Sequence, residues 1–319
     1  MEEWLRADPT WRALGFASRK AFLGRFLVRA RFCPGVPKDV RDAYHTVERM
    51  MAYSYYHYPL YDEACRRVLG IFEMAVTIRA VQLLESKGHE VPPNRKFTLN
   101  AKIELISAEP IYAYFRSQLH LIRDFRNSLS HPTDHSFMGG MNLRPIIAIV
   151  NVINFIFLDM AQVGINQRRS RELSALFGPF TDGPVVIEAW GKRIVTDGFG
   201  FDAMLEIGGS EVCLCWFSVV SELTLSRLKD SVFEEPVVLR LEDLRFLDGK
   251  LEARERGTGD LIVLHRGLTS GERDAYERFF EGFAGLEEIW RFAFMDNNKV
   301  KLARAVEDFI YELSCQSYT

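Results

Sequence analysis

Residues 111–132, IYAYFRSQLHLIRDFRNSLSHP, decide how the first part of this chain is interpreted. Their apolar positions recur every three or four residues, which is the spacing of one face of an α-helix. Arg126 falls at the edge of that face, where a guanidinium is costly to bury unless another group pairs with it. The face itself consists of Ile111, Phe115, Gln118, Ile122, Phe125 and Leu129.

A proline sets the end of this predicted helix. Pro132 disfavours the α conformation of the residue before it, so we expect the helix to end near Ser130. On an unbroken helix, Arg126 and His131 would point about 140° apart, whereas the break lets His131 turn back toward Arg126. Asn127 lies one turn before His131 and can hydrogen-bond its ring, which would fix the tautomer.

The helix predicted before it, over residues 62–86, repeats the arrangement of an arginine beside an apolar face. Arg79 lies among the apolar residues, and Glu73 flanks the same face as a candidate counter-charge. For these two residues we favour a structural salt-bridge network between two packed helices. The apolar face consists of Cys65, Val68, Phe72, Ala75, Val76 and Leu83.

The sequence Arg126-Asn127-x-x-x-His131, at the end of a long helix in a helical region, resembles the R-x4-6-H motif of HEPN (higher eukaryotes and prokaryotes nucleotide-binding) domains. The polar residue directly after the arginine also fits that family. The resemblance covers roughly residues 37–165. It implies a helical bundle that forms a homodimer, with two Arg/His pairs in one cleft, and an endoribonuclease of the kind found in antiviral, abortive-infection and toxin systems.

The chemistry that the resemblance implies is cleavage of single-stranded RNA to 2′,3′-cyclic phosphate ends, without a metal or cofactor. His131 would take the proton of a ribose 2′-OH, and Arg126 would stabilise charge on the phosphoryl oxygens in a bidentate way. DNA lacks the 2′-OH and would not react. Asn127 completes the catalytic set, and the supporting residues are Glu73, Arg79 and Ser130.

Other interpretations of this region stay open. In one, the helical domain is a catalytically silent dimerisation and binding module in which Arg126 is structural. In another, His131 and His135, with Asp134 between them, hold zinc, although a third ligand is missing. Some HEPN proteins are modified by a partner nucleotidyltransferase on a tyrosine two positions after the histidine. This chain has Thr133 there, so we do not expect that form of control.

The pattern of the chain changes near Gly178, which predicts an α+β protein with a helical, HEPN-like domain over 1–178 and a β-rich domain over 179–319. Helices are predicted at 16–32, 40–56, 62–86, 100–108, 111–130, 145–163 and 169–177. Strands are predicted at 185–190, 203–207, 211–220, 237–247, 250–255 and 261–265, with a tight hairpin at Asp248-Gly249. Short consecutive strands favour an antiparallel sheet, and helices at 270–283 and 298–315 close the chain.

Charge divides the two parts further. Residues 1–178 carry 24 Lys and Arg and 17 Asp and Glu, a net charge of +7, whereas residues 179–319 carry 16 and 26, a net charge of −10. Only the first part is therefore a natural partner for RNA. Candidate RNA contacts are Arg25 and Arg29 in the basic segment 16–32, together with Arg123. The acidic part is expected to sense, restrain the nuclease, or bind a protein or small ligand.

Cysteine usage and hydropathy predict a cytoplasmic protein without a membrane partner. Five cysteines do not suggest a secreted disulfide framework, and the acidic start is not a signal peptide. The most apolar stretch, 145–163, contains asparagines and an aspartate and is predicted to be a buried core helix that begins with Pro145 at its first position. Cys213 and Cys215 are interpreted as small core residues of a strand instead of a redox or metal pair.

Overall fold

The computed structural model of the chain describes residues 6–93, 95–130, 138–207, 210–229 and 236–313. Two compact units divide the chain, the first over Met1–Val163 with Tyr318–Thr319 and the second over Gly164–Ser317. The division falls at Val163/Gly164, whereas the sequence suggested 178/179. Residues 164–178 therefore belong with the β-rich unit. Helices and an antiparallel sheet are both present, which confirms the predicted mixed class.

The first unit is helical in its described residues. Its helices are α1 (Pro9–Ala13), α2 (Arg19–Phe26), α3 (Lys38–Tyr53), α4 (Leu60–Ser86), α5 (Leu99–Ser107), α6 (Arg116–Ser130) and α7 (Leu143–Ile156). Short 3-10 turns precede α6 at Ala113–Phe115 and α7 at Gly139–Asn142. Helix α8 (Met160–Phe177) starts at the end of this unit and lies mostly in the second.

Helix α4 is the centre of the first unit, and α3, α5, α6 and α7 all pack on it. The apolar face predicted for α4 is buried in full, which confirms that prediction. The face predicted for α6 is wrong in part, because Gln118 is exposed and the fully buried residue is its neighbour Leu119. The buried stripe of α6 therefore contains Leu119 and Ile122.

The N-terminal segment departs from its predicted helix over 16–32, because α2 ends at Phe26 and Leu27 is extended. Backbone N–H groups beyond that point are bound by side chains from elsewhere in the unit. Glu48 accepts from the N–H of Ala30 at 2.6 Å, and Asn154 accepts from that of Cys33 at 2.8 Å. These tertiary hydrogen bonds replace the helical ones, so the amphipathic pattern does not continue as helix.

The apolar stretch 145–163 is also divided differently from the prediction. Helix α7 begins at Leu143, before Pro145, and ends at Ile156, and α8 begins at Met160. Asp159 caps α8 by accepting the N–H of Ala161 at 2.8 Å. The stretch predicted as one helix therefore contains most of α7 and the start of α8.

One helical stretch among the described residues, Gly139–Ile156, is long and apolar enough to cross a membrane, with a mean hydropathy of 1.3. Sixty-one per cent of it is buried inside the structure. Ile146, Val150 and Ile153 are fully buried, and α7 packs on α4. Such burial is typical of a core helix, so the stretch is only a weak indication of a membrane span.

The second unit contains a closed antiparallel barrel with strand order β1-β2-β3-β4-β5-β6. The strands are β1 (Pro184–Ala189), β2 (Lys192–Ile207), β3 (Ser210–Val219), β4 (Val237–Leu247), β5 (Lys250–Glu255) and β6 (Leu261–His265). The antiparallel arrangement is as predicted, but β2 is much longer than the predicted 203–207. Register shifts at 197–203 bend it around the barrel, and glycines there obscure the alternation.

Helices complete the second unit. They are α9 (Glu222–Lys229), which the sequence analysis missed, α10 (Ser270–Ala284) and α11 (Glu288–Leu313). Asp248 and Gly249 both have positive φ, 48° and 74°, as the predicted tight hairpin requires. Helix α11 begins ten residues before the predicted start at 298, and residues 314–315 of that prediction lie outside the described residues.

Alternation along β3 separates two apolar clusters. Cys213 and Cys215 face the barrel interior, whereas Leu214 packs with Phe309 of α11 on the outside. Burial raises the pKa of Cys213 to about 12, so its thiol stays protonated near neutral pH. The interpretation of both cysteines as core residues is confirmed.

Gly200 lies at a tightly packed position of the barrel, because a Cβ added there would lie 1.7 Å from Nε1 of Trp216 on the neighbouring strand. We expect Gly200→Ala to lower the free energy of unfolding by about 1–3 kcal/mol through overpacking. Gly70→Ala is the control, since Gly70 is exposed within α4 and an added Cβ meets no atom within 4 Å. That substitution should raise the free energy of unfolding by about 0.5–1 kcal/mol. Urea unfolding followed by circular dichroism measures both, and a stable Gly200→Ala protein would contradict the packing argument.

Candidate active site

Arg126 lies one turn before the end of α6, on the same stripe as Leu119 and Ile122. Its Nη2 donates to Oε2 of Glu73 on α4 at 2.8 Å, and its Nη1 donates to Oδ1 of Asn127 at 3.2 Å. About a third of each charged side chain of the ion pair is exposed, 34% for Arg126 and 36% for Glu73. The guanidinium is thus fixed by a carboxylate and still reaches solvent.

The ion pair between Arg126 and Glu73, two residues that are 53 positions apart in sequence, joins α6 to α4. A pair with this exposure contributes at most about 1 kcal/mol to stability. Its larger effect is on geometry. One terminal nitrogen of the guanidinium binds the carboxylate of Glu73 and the other binds the amide oxygen of Asn127, and the two contacts together restrict the plane of the guanidinium. Three of the predicted site residues, Arg126, Asn127 and Glu73, are therefore brought together.

His131 lies outside the described residues, as do Thr133, Asp134 and His135. The predicted contact of His131 with Arg126 or Asn127 stays a prediction for that reason. Ser130 is the last described residue of α6. Among the described residues, no group of three His, Cys, Asp or Glu side chains is placed to hold a metal ion.

Glu73 is a counter-charge in a salt bridge between two packed helices, as predicted, but its partner is Arg126 and Arg79 does not pair with it. The Nη2 of Arg79 donates to the hydroxyl of Tyr112 at 2.7 Å, and its Nη1 donates to Oε1 of Gln82 at 3.3 Å. The reason is the helix geometry: residues six apart point about 120° away from each other. Arg126 from α6 takes the position beside Glu73 instead.

Tyr112 is a residue that the sequence analysis missed. It is fully buried, its ring lies 5.6 Å from the guanidinium carbon of Arg79, and its hydroxyl donates to the carbonyl of Ile156 at 3.3 Å. The Nε of Arg79 is buried, and none of the described residues accepts a hydrogen bond from it. Arg79 and Tyr112 thus form a structural joint between α4 and α7, and Arg79 is not part of the Arg126 cluster.

The candidate RNA contacts differ in their surroundings. Arg25 is exposed on α2, and Arg29 is exposed in the non-helical segment that follows. Arg123 is only 23% exposed, and it donates to Asp124 at 2.7 Å and to Asn100. Arg25 and Arg29 are therefore more accessible to a polyanion than Arg123 is.

A second charged cluster joins Glu104 of α5 to Arg116 and His120 of α6. Oxygens of Glu104 accept from Arg116 and His120, each at 2.9 Å. These hydrogen bonds, with that of Arg116 the larger, hold the pKa of Glu104 below its usual value. The ring of His120 is thus bound by a carboxylate of α5.

Tyr112→Phe tests the structural joint. The substitution keeps the ring but removes the oxygen that accepts from the guanidinium of Arg79, so we expect a loss of about 1–3 kcal/mol in unfolding free energy. Tyr53→Phe is the control, since Tyr53 is 58% exposed, and its expected change stays within about 0.5 kcal/mol. Equal stabilities of the two variants in urea unfolding would refute the assignment.

The residues around Arg126 cannot be assigned to a family through other proteins. Comparisons of the chain with protein-family models, curated protein sequences and solved structures found no match.

Proposed function

We propose that this chain is a metal-independent endoribonuclease with a HEPN-like helical domain, and that it cleaves single-stranded RNA in a cytoplasmic antiviral or toxin-type system. The observation that supports the proposal best is the placement of Arg126. It sits on the buried stripe of α6, is held by Glu73 and Asn127, and keeps a third of its side chain exposed. A guanidinium oriented in this way is suited to a phosphoryl group.

In the proposed reaction, His131 accepts the proton of a ribose 2′-OH as that oxygen attacks the adjacent phosphorus. The bond from phosphorus to the 5′-oxygen breaks, the leaving oxygen takes up a proton from water, and the products carry a 2′,3′-cyclic phosphate and a 5′-hydroxyl. Arg126 stabilises the negative charge that develops on the phosphoryl oxygens. Glu73 and Asn127 orient the guanidinium, and Ser130, the last described residue of α6, is the third supporting residue of the proposal.

The second candidate function is a catalytically silent dimerisation and binding module. The ion pair with Glu73 favours this alternative, because the same contact would be present if Arg126 only joined α6 to α4. In either case the acidic second unit is proposed to sense, restrain the first unit or bind a partner.

RNA cleavage in the presence of EDTA separates the two candidates. We expect His131→Ala and Arg126→Lys to lower the cleavage rate by roughly 100-fold or more, since lysine lacks the planar fork of arginine. Arg66→Lys is the matched control, because Arg66 forms a comparable ion pair with Glu63 on α4. It should cleave like the parent protein.

The products of that assay should carry 2′,3′-cyclic phosphate ends. Activity retained by a well-folded His131→Ala protein, with contaminating nuclease excluded by mock purification, would refute the assignment at this site. Activity retained by Arg126→Lys alone would leave Arg126 a structural residue.

We also propose a homodimer built mainly by residues 60–165. On α6, Leu121 is 70% exposed and Phe125, one turn later, is only partly buried, so this helix presents apolar surface to solvent. Light scattering of the parent should show a dimer at micromolar concentration, and Leu121→Glu should shift it to monomer. Leu14→Glu, at an exposed leucine of the N-terminal segment, should leave the dimer intact. A monomeric parent would contradict the shared cleft.

A further inference from the structure

Trp190, in the second unit, is a large aromatic residue in a backbone conformation that favours small ones. It is the first residue of the two-residue turn between β1 and β2 and has φ of +53°, and Gly191 follows with φ of +69°. Two successive positive φ values in a hairpin turn are typical of type I′, which favours asparagine, aspartate or glycine at the first position. A bulky side chain in this conformation strains the backbone.

The hairpin between β4 and β5 offers a comparison within the same barrel. Asp248 and Gly249 form its turn with φ of +48° and +74°, which is nearly the same backbone. The barrel therefore contains one turn with a favoured residue and one with a tryptophan in the equivalent position. Since an aspartate satisfies this turn without strain, the tryptophan points to a function of its side chain.

The side chain of Trp190 does not serve the core of the barrel. It is 47% exposed and belongs to neither of the two apolar clusters of this unit described above. It lines an open cleft of about 430 Å³ together with Leu261, which is 55% exposed, and Val263. An exposed indole beside aliphatic side chains offers a flat apolar surface on which a planar ring can stack.

Charged groups lie beside this surface. Glu188 precedes the turn, and Lys192 and Arg193 follow it, and all three line the cleft. The guanidinium of Arg193 is bound by Glu188 and, at 2.9 Å, by Glu272. Lys192, by contrast, is exposed and forms no ion pair with any residue that the structure describes. The cleft thus combines a stacking surface with an ammonium group that is available to an anion.

We propose that the cleft at Trp190 binds a free nucleotide, whose base stacks on the indole and whose phosphate is bound by Lys192. A planar ring joined to an anion matches both features of the cleft. A single nucleotide suits this unit better than RNA does, because residues 179–319 carry a net charge of −10 and repel a long polyanion. The site goes beyond the proposed nuclease reaction and gives the sensing role of the second unit a ligand.

Isothermal titration calorimetry of the full chain with AMP tests the site. We expect saturable binding with a Kd below about 1 mM. Trp190→Asn should raise this Kd by roughly 10-fold or more, since it removes the stacking surface, whereas Trp190→Phe keeps a ring and should raise it less than about fivefold. Lys192→Met keeps the stem without the charge and should raise the Kd by roughly 2–5-fold. Adenosine and ribose 5-phosphate each lack half of the ligand and should bind more weakly than AMP.

The same Trp190→Asn substitution should stabilise the hairpin while it weakens binding. Relief of the backbone strain should slow amide hydrogen exchange in β1 and β2 by roughly 5–30-fold in the absence of AMP. A purely structural tryptophan would not give a variant that is more stable and binds less. Asp248→Asn is the matched control, because both residues suit the turn, and it should change neither the exchange nor the Kd.

Three results would overturn the proposal: no binding of AMP at millimolar concentration, an unchanged Kd in Trp190→Asn, or exchange in β1 and β2 that this substitution does not slow. A non-cleavable 2′-O-methyl oligoadenylate that binds through Trp190 more tightly than AMP would replace the free nucleotide by RNA. Binding of AMP does not require RNase activity. A parent that binds AMP through Trp190 without cleaving RNA would therefore support this site and overturn only the nuclease assignment.

Discussion

A 27-residue helix with apolar side chains around most of its circumference has to be covered from several directions at once, and α4 imposes this requirement on the first unit. Helices α3, α5, α6 and α7 supply the cover. Asp62 and Glu73 interrupt the apolar surface of α4, so the segments that pack along that side have to supply hydrogen-bond donors. The guanidinium of Arg126 and the backbone at Met138 and Gly139 are those donors.

Much of this architecture follows from periodicity that is visible in the sequence. The buried face of α4 and the strands β3 to β6 are predicted closely, since each is long or strongly alternating. The closing of the sheet into a barrel is not, because it depends on the pairing of β1 with β6, which are distant in sequence. The early end of α2 depends likewise on acceptors from α3 and α7, which no local pattern contains.

The candidate site, too, can be predicted from the sequence only where its residues are close together in the chain. Arg126, Asn127 and His131 lie within six positions of each other, so a sequence motif can identify them as a candidate site. The sequence shows that Arg126 needs a partner and that Glu73 is a candidate counter-charge, but the pairing of the two becomes visible only in the structure. Tyr112 lies 33 residues from Arg79, and Met138 lies 76 from Asp62. Contacts of this range are fixed by packing of whole helices, which a single sequence does not specify.

The four described cysteines, Cys33, Cys65, Cys213 and Cys215, are all buried, two in each compact unit. Burial, together with the charge of Asp62, raises the pKa of Cys65 to about 12, as burial does for Cys213. A thiol that is both protonated and inaccessible reacts with an alkylating reagent only after its surroundings open. The rate of alkylation of Cys33 and Cys65 therefore reports how often the helical unit opens, and that of Cys213 and Cys215 reports how often the barrel opens. The two rates can be measured separately and need no added label.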